Sequence, residues 1–262
     1  MNLESGSMGR WAISLKTRVV EKLHRHRKEK ETIPEIVFKK GDIIVVRHAQ
    51  SENNIEGVGF VQHPKLTDTG IEQAKAMGKL LKKNKVKLDL VVISGSTRAE
   101  QTAVNMIQEV GRVPMVVERN FRERNIGVYL DKLGGKAREK QEQFSQWKHS
   151  LSDDIRWDAI PNNVDGLILD QFETERQTAE RFQKALKELE RKYPGKSILV
   201  ISHAYAMSAG LAALSQEIPD SQASIFQHVS NTGYFTIRSK RITGKDISFQ
   251  VIHSNLKGAQ VF

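Results

Sequence analysis

The sequence predicts an α/β fold, a three-layer sandwich in which helices flank a mostly parallel central sheet. Two observations predict it. Short β-branched runs at 42–46, 88–93 and 197–202 have the length and composition of buried strands. Amphipathic helical patterns separate these runs, so strand and helix alternate along the chain as they do in parallel sheets with right-handed crossovers.

The first segment, residues 1–40, is predicted to be a basic amphipathic extension to the main domain. An apolar stripe recurs every fourth residue through Trp11, Leu15, Val19 and Leu23, which favours a helix. Three settings for this stripe remain open: the body of the protein, a partner chain, or an anionic membrane surface.

The main domain, residues 41–262, contains the predicted elements of the sandwich. Thr67 is a plausible N-cap for a helix that continues to about Leu81. The remaining helices are predicted at 97–109, 173–192 and 204–214, and the remaining strands at 115–117, 224–229, 234–238 and 247–252.

Residues 132–171 are polar and irregular, and we expect them to form a partly helical cap insertion over a pocket. Basic residues in and before this insertion are candidates for contacts with further anionic groups of a substrate. They are Arg122, Arg124, Lys132, Lys136 and Arg138.

Composition limits the class of protein. The chain has no cysteine, which excludes disulfides and thiol catalysis, and we find neither a secretory signal nor an apolar span, so we expect a cytoplasmic protein. The net charge is +10, but residues 1–40 hold ten Lys or Arg against five Glu, so the main domain is only mildly basic and no nucleic-acid partner is expected.

Functional side chains follow three predicted strands. Arg47 and His48 follow the first, Arg98 follows the second, and His203 follows the fourth. Parallel strands place their carboxyl ends along one edge, so these groups can converge there. Such a cluster of cations and imidazoles is costly unless an anion such as phosphate joins it. If a phosphoryl group moves to a neutral imidazole, the oxygen of the leaving group needs a proton. Glu123, just past the third strand, is the best placed carboxylic acid to donate it.

Several motifs resemble the histidine phosphatase superfamily, also called the phosphoglycerate mutase-like family. They are R-H-A-Q-S-E-N-N at 47–54, L-T-D-T-G-I-E-Q-A at 66–74, S-G-S-T-R-A-E-Q-T-A at 94–103, R-E-R-N-I-G at 122–127, S-H-A at 202–204, and E-T-x6-R at 173–181. Each motif is short, but their order along the chain makes the resemblance specific.

The resemblance implies a role for each matching residue. His48 would be the nucleophile that becomes phosphohistidine, and Glu123 would protonate the leaving group and then activate water. Apart from the resemblance, the sequence leaves open that Glu123 only pairs with a neighbouring arginine and that Glu118 or another acid acts instead. Arg47, Arg98 and His203 hold the phosphoryl group. The substrate-binding and phosphate-binding residues are Ser51, Asn54, Gln50 and Ala204. Neither a metal nor another cofactor is implied.

The leading functional hypothesis is a metal-independent phosphomonoester hydrolase with a small phosphorylated substrate. A phosphoglycerate mutase-type phosphoryl transfer is the alternative within catalysis. A non-catalytic module that binds a phosphorylated ligand is the alternative outside it. The sequence leaves open whether the chain forms a homodimer.

Overall fold

A six-stranded mixed sheet forms the middle layer of the fold. The computed structural model describes residues 35–55, 61–125, 146–147, 150–160, 172–215, 228–241 and 246–258. The strands are β1 (Ile43–Arg47), β2 (Leu90–Ile93), β3 (Met115–Val117), β4 (Ile198–Ser202), β5 (Tyr234–Arg241) and β6 (Ile247–Asn255).

The strands lie side by side in the order β3-β2-β4-β1-β5-β6. The pairs β3–β2, β2–β4 and β4–β1 are parallel, whereas β1–β5 and β5–β6 are antiparallel. The predicted α/β class with a mostly parallel sheet is therefore confirmed. The fourth strand of the chain lies between the first two, which brings the carboxyl ends of β1, β4 and β2 next to one another.

Helices cover both faces of this sheet. The structure describes α1 (Asp68–Lys83), α2 (Thr97–Val110), the short α3 (Asp153–Arg156), α4 (Glu175–Lys192) and α5 (Ala204–Ser215). Apolar side chains of the strands alternate between the two layers, as the two-residue period of a strand requires. Ile44 and Val46 face α1 and α2, while Ile43 and Val45 face α4 and α5.

Two helices begin at threonine caps. The hydroxyl of Thr67 accepts a 2.9 Å hydrogen bond from the backbone N–H of Gly70, as predicted for α1. Thr174 and Gln177 form a reciprocal capping box at α4. This box explains why α4 begins at Glu175, two residues after the predicted start.

Some predictions fall on residues outside the described ranges. They include the amino-terminal helix, most of the cap insertion, and most of the closing strand predicted at 224–229. The other two closing strands are confirmed and are longer than predicted. In the described part of the insertion, Trp157 is buried beside Ala179, Ala209 and Ala212. None of the helices within the described ranges is sufficiently long and apolar to span a bilayer.

Candidate active site

The sheet order gathers the predicted functional residues at one edge. Arg47 is the last residue of β1 and lies in register with Ser202, the last residue of β4. His203 follows Ser202 directly, and Arg98 lies in the first turn of α2, just beyond β2. The predicted convergence at the carboxyl ends of parallel strands is therefore present in the structure.

One guanidinium bridges the two imidazoles at this edge. Arg98 donates from Nε to Nε2 of His48 and from an η nitrogen to Nδ1 of His203, and both donor–acceptor distances are 3.0 Å. The two imidazole centroids are 5.0 Å apart, with their planes inclined at 60°. Both histidines are buried, with only 3% and 1% of their surfaces exposed.

The partners of each ring nitrogen fix the tautomers. Nδ1 of His48 lies 2.7 Å from the carbonyl oxygen of Ala49, which can only accept, so Nδ1 carries the proton. Arginine can only donate, so Nε2 of His48 and Nδ1 of His203 both hold lone pairs. The remaining nitrogen of His203, Nε2, then donates to Ser94 Oγ at 2.8 Å. Both imidazoles are neutral in this arrangement.

The electrostatics favour the same protonation state. Burial lowers the pKa of His48 well below its ordinary value, and the charges of Arg98 and Arg47 lower it further. Burial and then Arg98 also lower the pKa of His203. A neutral imidazole keeps a lone pair for nucleophilic attack, and His48 presents that lone pair at Nε2.

Arg47 supplies the second guanidinium. One of its η nitrogens donates to the carbonyl of Val229 at 2.7 Å, which anchors the side chain. Its Nε is buried and has no hydrogen-bond partner among the described residues. Burial lowers the pKa of Arg47, and the carboxylate of Glu123 partly counteracts that effect. An anion is the partner that best satisfies a buried guanidinium donor of this kind.

The carboxylate of Glu123 is seated at the amino-terminal end of α5. It accepts hydrogen bonds from the backbone N–H groups of Ala206 at 3.0 Å, Tyr205 at 3.4 Å and Arg124 at 2.9 Å. A helix amino terminus stabilises a negative charge, and three donors orient the carboxyl group while leaving a lone pair available. The charge of Glu123 also acts on Arg98. Burial lowers the pKa of Arg98, and the negative charge of Glu123 partly opposes this change.

A pair of charged residues supports the loop that carries Glu123. Arg181 of α4 donates to the backbone carbonyls of Asn120, Arg122 and Glu123 at 2.7, 2.9 and 3.2 Å. Glu173 accepts two hydrogen bonds from Arg181, at 2.8 and 2.9 Å. The sequence motif E-T-x6-R pointed to these two positions, but nothing in it indicated what they contact.

The predicted phosphate-binding residues lie in the loop after β1. The side-chain oxygen of Asn54 accepts from the N–H and the hydroxyl of Ser51, at 3.0 and 3.1 Å. Asn231 joins this loop to His48, because its side-chain amide donates to the backbone carbonyl of His48 at 3.0 Å and to Oδ1 of Asn54 at 3.3 Å. Sequence reasoning missed both Asn231 and Ser94, since neither belongs to a pattern that stands out without the fold.

The other predicted site residues have mixed positions. Ala204 is the first residue of α5 and adjoins His203. The amide oxygen of Gln50 accepts from the hydroxyl of Thr67 at 2.8 Å, so it supports the start of α1 in this structure. The alternative acid, Glu118, accepts from the N–H of Asn120 and caps the 3₁₀ turn Arg119–Phe121.

The two candidate arginines before the insertion have different surroundings. The side chain of Arg124 is only 2% exposed and pairs with Glu175 at 3.0 Å, so its guanidinium already has a carboxylate partner within the protein. Arg122 is 45% exposed and pairs with Glu173. The sequence R-E-R cannot indicate which arginine points inward. Lys132, Lys136 and Arg138 lie outside the described residues.

These features define a class of site: one whose buried cationic donors suit an anion and which holds a neutral imidazole lone pair together with two guanidiniums and a carboxylate. Residues 43–246 match the family model of the histidine phosphatase superfamily (branch 1). The match covers most of the sequence, so the chain belongs to this superfamily.

Curated relatives include 2,3-bisphosphoglycerate-dependent phosphoglycerate mutases. The protein from Methylobacterium sp. (strain 4-46) is 32% identical over 114 residues, which are 41% of this chain and 54% of the relative. In this alignment the chain spans about half the length of the relative. The mutase from Methylobacterium radiotolerans is 26% identical over 222 residues, which cover 78% of this chain and 96% of the relative.

Solved structures with the same fold include several phosphatases. A mycobacterial hydrolase has a TM-score of 0.62 and 19% identity, with 84% of this chain and 92% of the other covered. A mycobacterial glucosyl-3-phosphoglycerate phosphatase in complex with VO3 has a TM-score of 0.60 and 19% identity, with 81% of this chain and 97% of the other covered. The alpha-ribazole phosphatase from Shigella flexneri gives 0.55 and 22%, covering 84% and 99%. At these identities the likeness shows the fold.

Proposed function

We propose that this protein is a metal-independent phosphomonoester hydrolase that forms a phosphohistidine at His48. The observation that carries this proposal is the hydrogen bonding of His48. The carbonyl of Ala49 holds the proton on Nδ1, and Nε2 directs its lone pair toward the Arg98 guanidinium. A phosphoryl group bound by that guanidinium lies beside a neutral nitrogen nucleophile.

The first half of the reaction forms the intermediate. Nε2 of His48 attacks phosphorus, a P–N bond forms, and the P–O bond to the leaving group breaks. The electron pair of that bond goes to the leaving oxygen, which takes a proton from the carboxylic acid form of Glu123 and leaves a carboxylate. Water then attacks phosphorus and gives a proton to the Glu123 carboxylate. The P–N bond breaks, inorganic phosphate leaves, and His48 is neutral again.

Arg98 changes partners during this sequence. Its donors contact the two imidazoles, and a substrate attracts them to the phosphoryl oxygens, which releases the lone pair of His48 for attack. Charge-assisted hydrogen bonds to a dianion are stronger than those to a neutral ring. Arg47 adds a second guanidinium, and the dianion also favours the protonated form of His203. The two arginines supply the positive charge for the transition state.

The direct test compares wild type with His48→Ala on p-nitrophenyl phosphate, together with trapping of acid-labile phosphoenzyme from labelled substrate. We expect the variant to lose at least about 10³-fold in kcat/KM and all labelling, as enzymes do without their nucleophile. His253→Gln is the matched control, because His253 lies on the edge strand β6 and contacts Tyr234. Equal activity of wild type and His48→Ala would refute the proposal and favour a non-catalytic binding module.

A mutase-type transfer is the second candidate, because the curated relatives bear that name. A mutase returns the phosphoryl group to a bound product before water reaches it. Supplying 3-phosphoglycerate with 2,3-bisphosphoglycerate separates the two reactions. Release of inorganic phosphate supports the hydrolase, whereas steady formation of 2-phosphoglycerate without phosphate release supports the mutase.

A further inference from the structure

The geometry points to Arg181, held by Glu173, as the positioning residue for the proton donor Glu123. This inference rests on the proposed function, in which Glu123 protonates the leaving group. Arg181 lies on α4, and its hydrogen bonds go to Glu173 and to the loop that carries Glu123. Its charge is the last of the causes that lower the pKa of His203. The effect on Glu123 that we infer is exerted through the backbone of the loop.

The guanidinium of Arg181 acts as a template for the loop backbone. Its donors contact the carbonyls of Asn120, Arg122 and Glu123 within 3.2 Å. These carbonyls belong to a segment that passes from a 3₁₀ turn into irregular structure, so no sheet or helix partner orients them. Arginine has five donors in a rigid planar fork, and few other side chains can bind several carbonyls at once.

Glu173 fixes this template and extends it. Its two carboxylate oxygens accept from Nε and an η nitrogen of Arg181, in the bidentate geometry that constrains both groups. One of the same oxygens accepts from the N–H of Asn125 at 2.9 Å. The loop is therefore held at Asn120 by Arg181 and at Asn125 by Glu173.

This pair is well shielded from solvent. The side chains of Arg181 and Glu173 are 10% and 14% exposed, so salt screens their attraction less than it screens an exposed pair. Burial alone raises the pKa of Glu173, but the hydrogen bond from Arg181 and further contacts lower it overall, so the carboxylate stays ionised. The contact network remains intact near neutral pH.

Packing fixes the general location of the loop by a separate route. Phe182, the neighbour of Arg181, makes an edge-to-face contact with Phe121 at a centroid distance of 5.1 Å. This apolar contact does not involve the carbonyl groups. Loss of the Arg181 side chain should therefore leave the loop packed against α4 while the orientation of Glu123 becomes less defined. A displacement of about 1 Å can cost about 10²-fold in rate.

The experiment uses leaving groups of different basicity. p-Nitrophenolate departs with little help from an acid, whereas an alkoxide needs a proton, so general-acid catalysis matters most for alkyl phosphates. We compare kcat/KM for p-nitrophenyl phosphate and for glycerol phosphate, because this parameter covers the steps through formation of the phosphoenzyme. The variants are Arg181→Met, Arg181→Lys and Glu173→Gln in the full chain.

We expect Arg181→Met to reduce kcat/KM by about 10- to 100-fold for glycerol phosphate and by less than about threefold for p-nitrophenyl phosphate. Arg181→Lys should lie close to Arg181→Met, because a single ammonium cannot contact Glu173 through two donors and also reach the carbonyls. Arg176→Met is the control on the same helix, because Arg176 pairs with the exposed Asp158. Arg176→Met should lower kcat/KM for both substrates by the same small factor.

Glu123→Gln separates failure of this inference from failure of the proposed function. Suppose that Glu123→Gln loses activity mainly on glycerol phosphate, while Arg181→Met and Glu173→Gln lower kcat/KM equally for both substrates. Arg181 then has a structural role, and the inference is overturned. If Glu123→Gln shows no leaving-group selectivity, the acid role itself is wrong. If circular dichroism shows that Arg181→Met is unfolded, the result from Glu173→Gln decides between a positioning role and a purely structural role.

Discussion

Glu175 and the two arginines that face it form a buried charged cluster whose loss should be costly. Glu175 accepts from Arg124 at 3.0 Å and lies 3.7 Å from Arg156. The three side chains are at most 7% exposed. The guanidinium of Arg124 also lies 5.0 Å from the ring centroid of Tyr205. This cluster joins α3, the Glu123 loop and the start of α4.

Glu175→Gln keeps the volume of the side chain but removes its negative charge. Both guanidiniums then lose a carboxylate partner in a region of low dielectric. Removing one member of a buried ion pair typically costs about 3–5 kcal/mol. Folded domains have a total stability of about 5–15 kcal/mol, so we expect a large fall in the urea midpoint.

The assay is equilibrium urea unfolding at neutral pH, followed by circular dichroism. Asp158→Asn is the control, because Asp158 also pairs with an arginine of α4, through two hydrogen bonds from Arg176, but the two side chains are 63% and 52% exposed. Solvent screens that pair, so its loss should be too small to resolve by unfolding. A Glu175→Gln variant no less stable than Asp158→Asn would show that the cluster is hydrated and would refute the argument from burial.

Three further predictions concern pH and backbone packing. Burial, and then the charge of Arg98, lower the pKa of His48, so kcat/KM should not fall as pH decreases through about 6.5, where a solvent-exposed imidazole loses half of its neutral form. The pKa of His203 is lowered in the same way, so below about pH 6.5 the unfolded chain takes up protons that the folded chain does not. The urea midpoint should therefore fall as pH decreases below about 6.5, and a midpoint that does not change with pH would contradict this. A Cβ on Gly70 would lie 1.9 Å from the carbonyl oxygen of Gln50, so Gly70→Ala should displace the loop after β1 and lower both Tm and activity, and an unchanged Tm would exclude the clash.

Local patterns predicted the elements of the fold because each pattern has a local physical cause. β-Branched runs became β1, β2 and β4, and Thr67 capped α1 as expected. The lateral order of the strands could not be predicted, because it depends on which faces pack together after the chain has collapsed. The start of α4 was misplaced because the capping box at Thr174 outweighs the apolar periodicity.

The residue types of the site were predictable, but their contacts were not. Arg47, His48, Arg98 and His203 follow buried strands, and parallel strands share an edge, so their convergence follows from topology. The bridge from one guanidinium to both imidazoles depends on side-chain rotamers, which a sequence does not reveal. The extension 1–40, the cap at 132–171, a homodimer and a cytoplasmic location stay predictions.

The position of β4 has a consequence for how the candidate site is assembled during synthesis. β1 and β2 are not neighbours in the sheet, and β4, at Ile198–Ser202, is the strand that joins them. A ribosome must therefore synthesise β4 before His48 and Arg98 can meet, and His203 directly follows β4. Nascent or truncated chains that end before β4 lack this arrangement of side chains, and its recovery during refolding reports the pairing of β1 and β2 with β4.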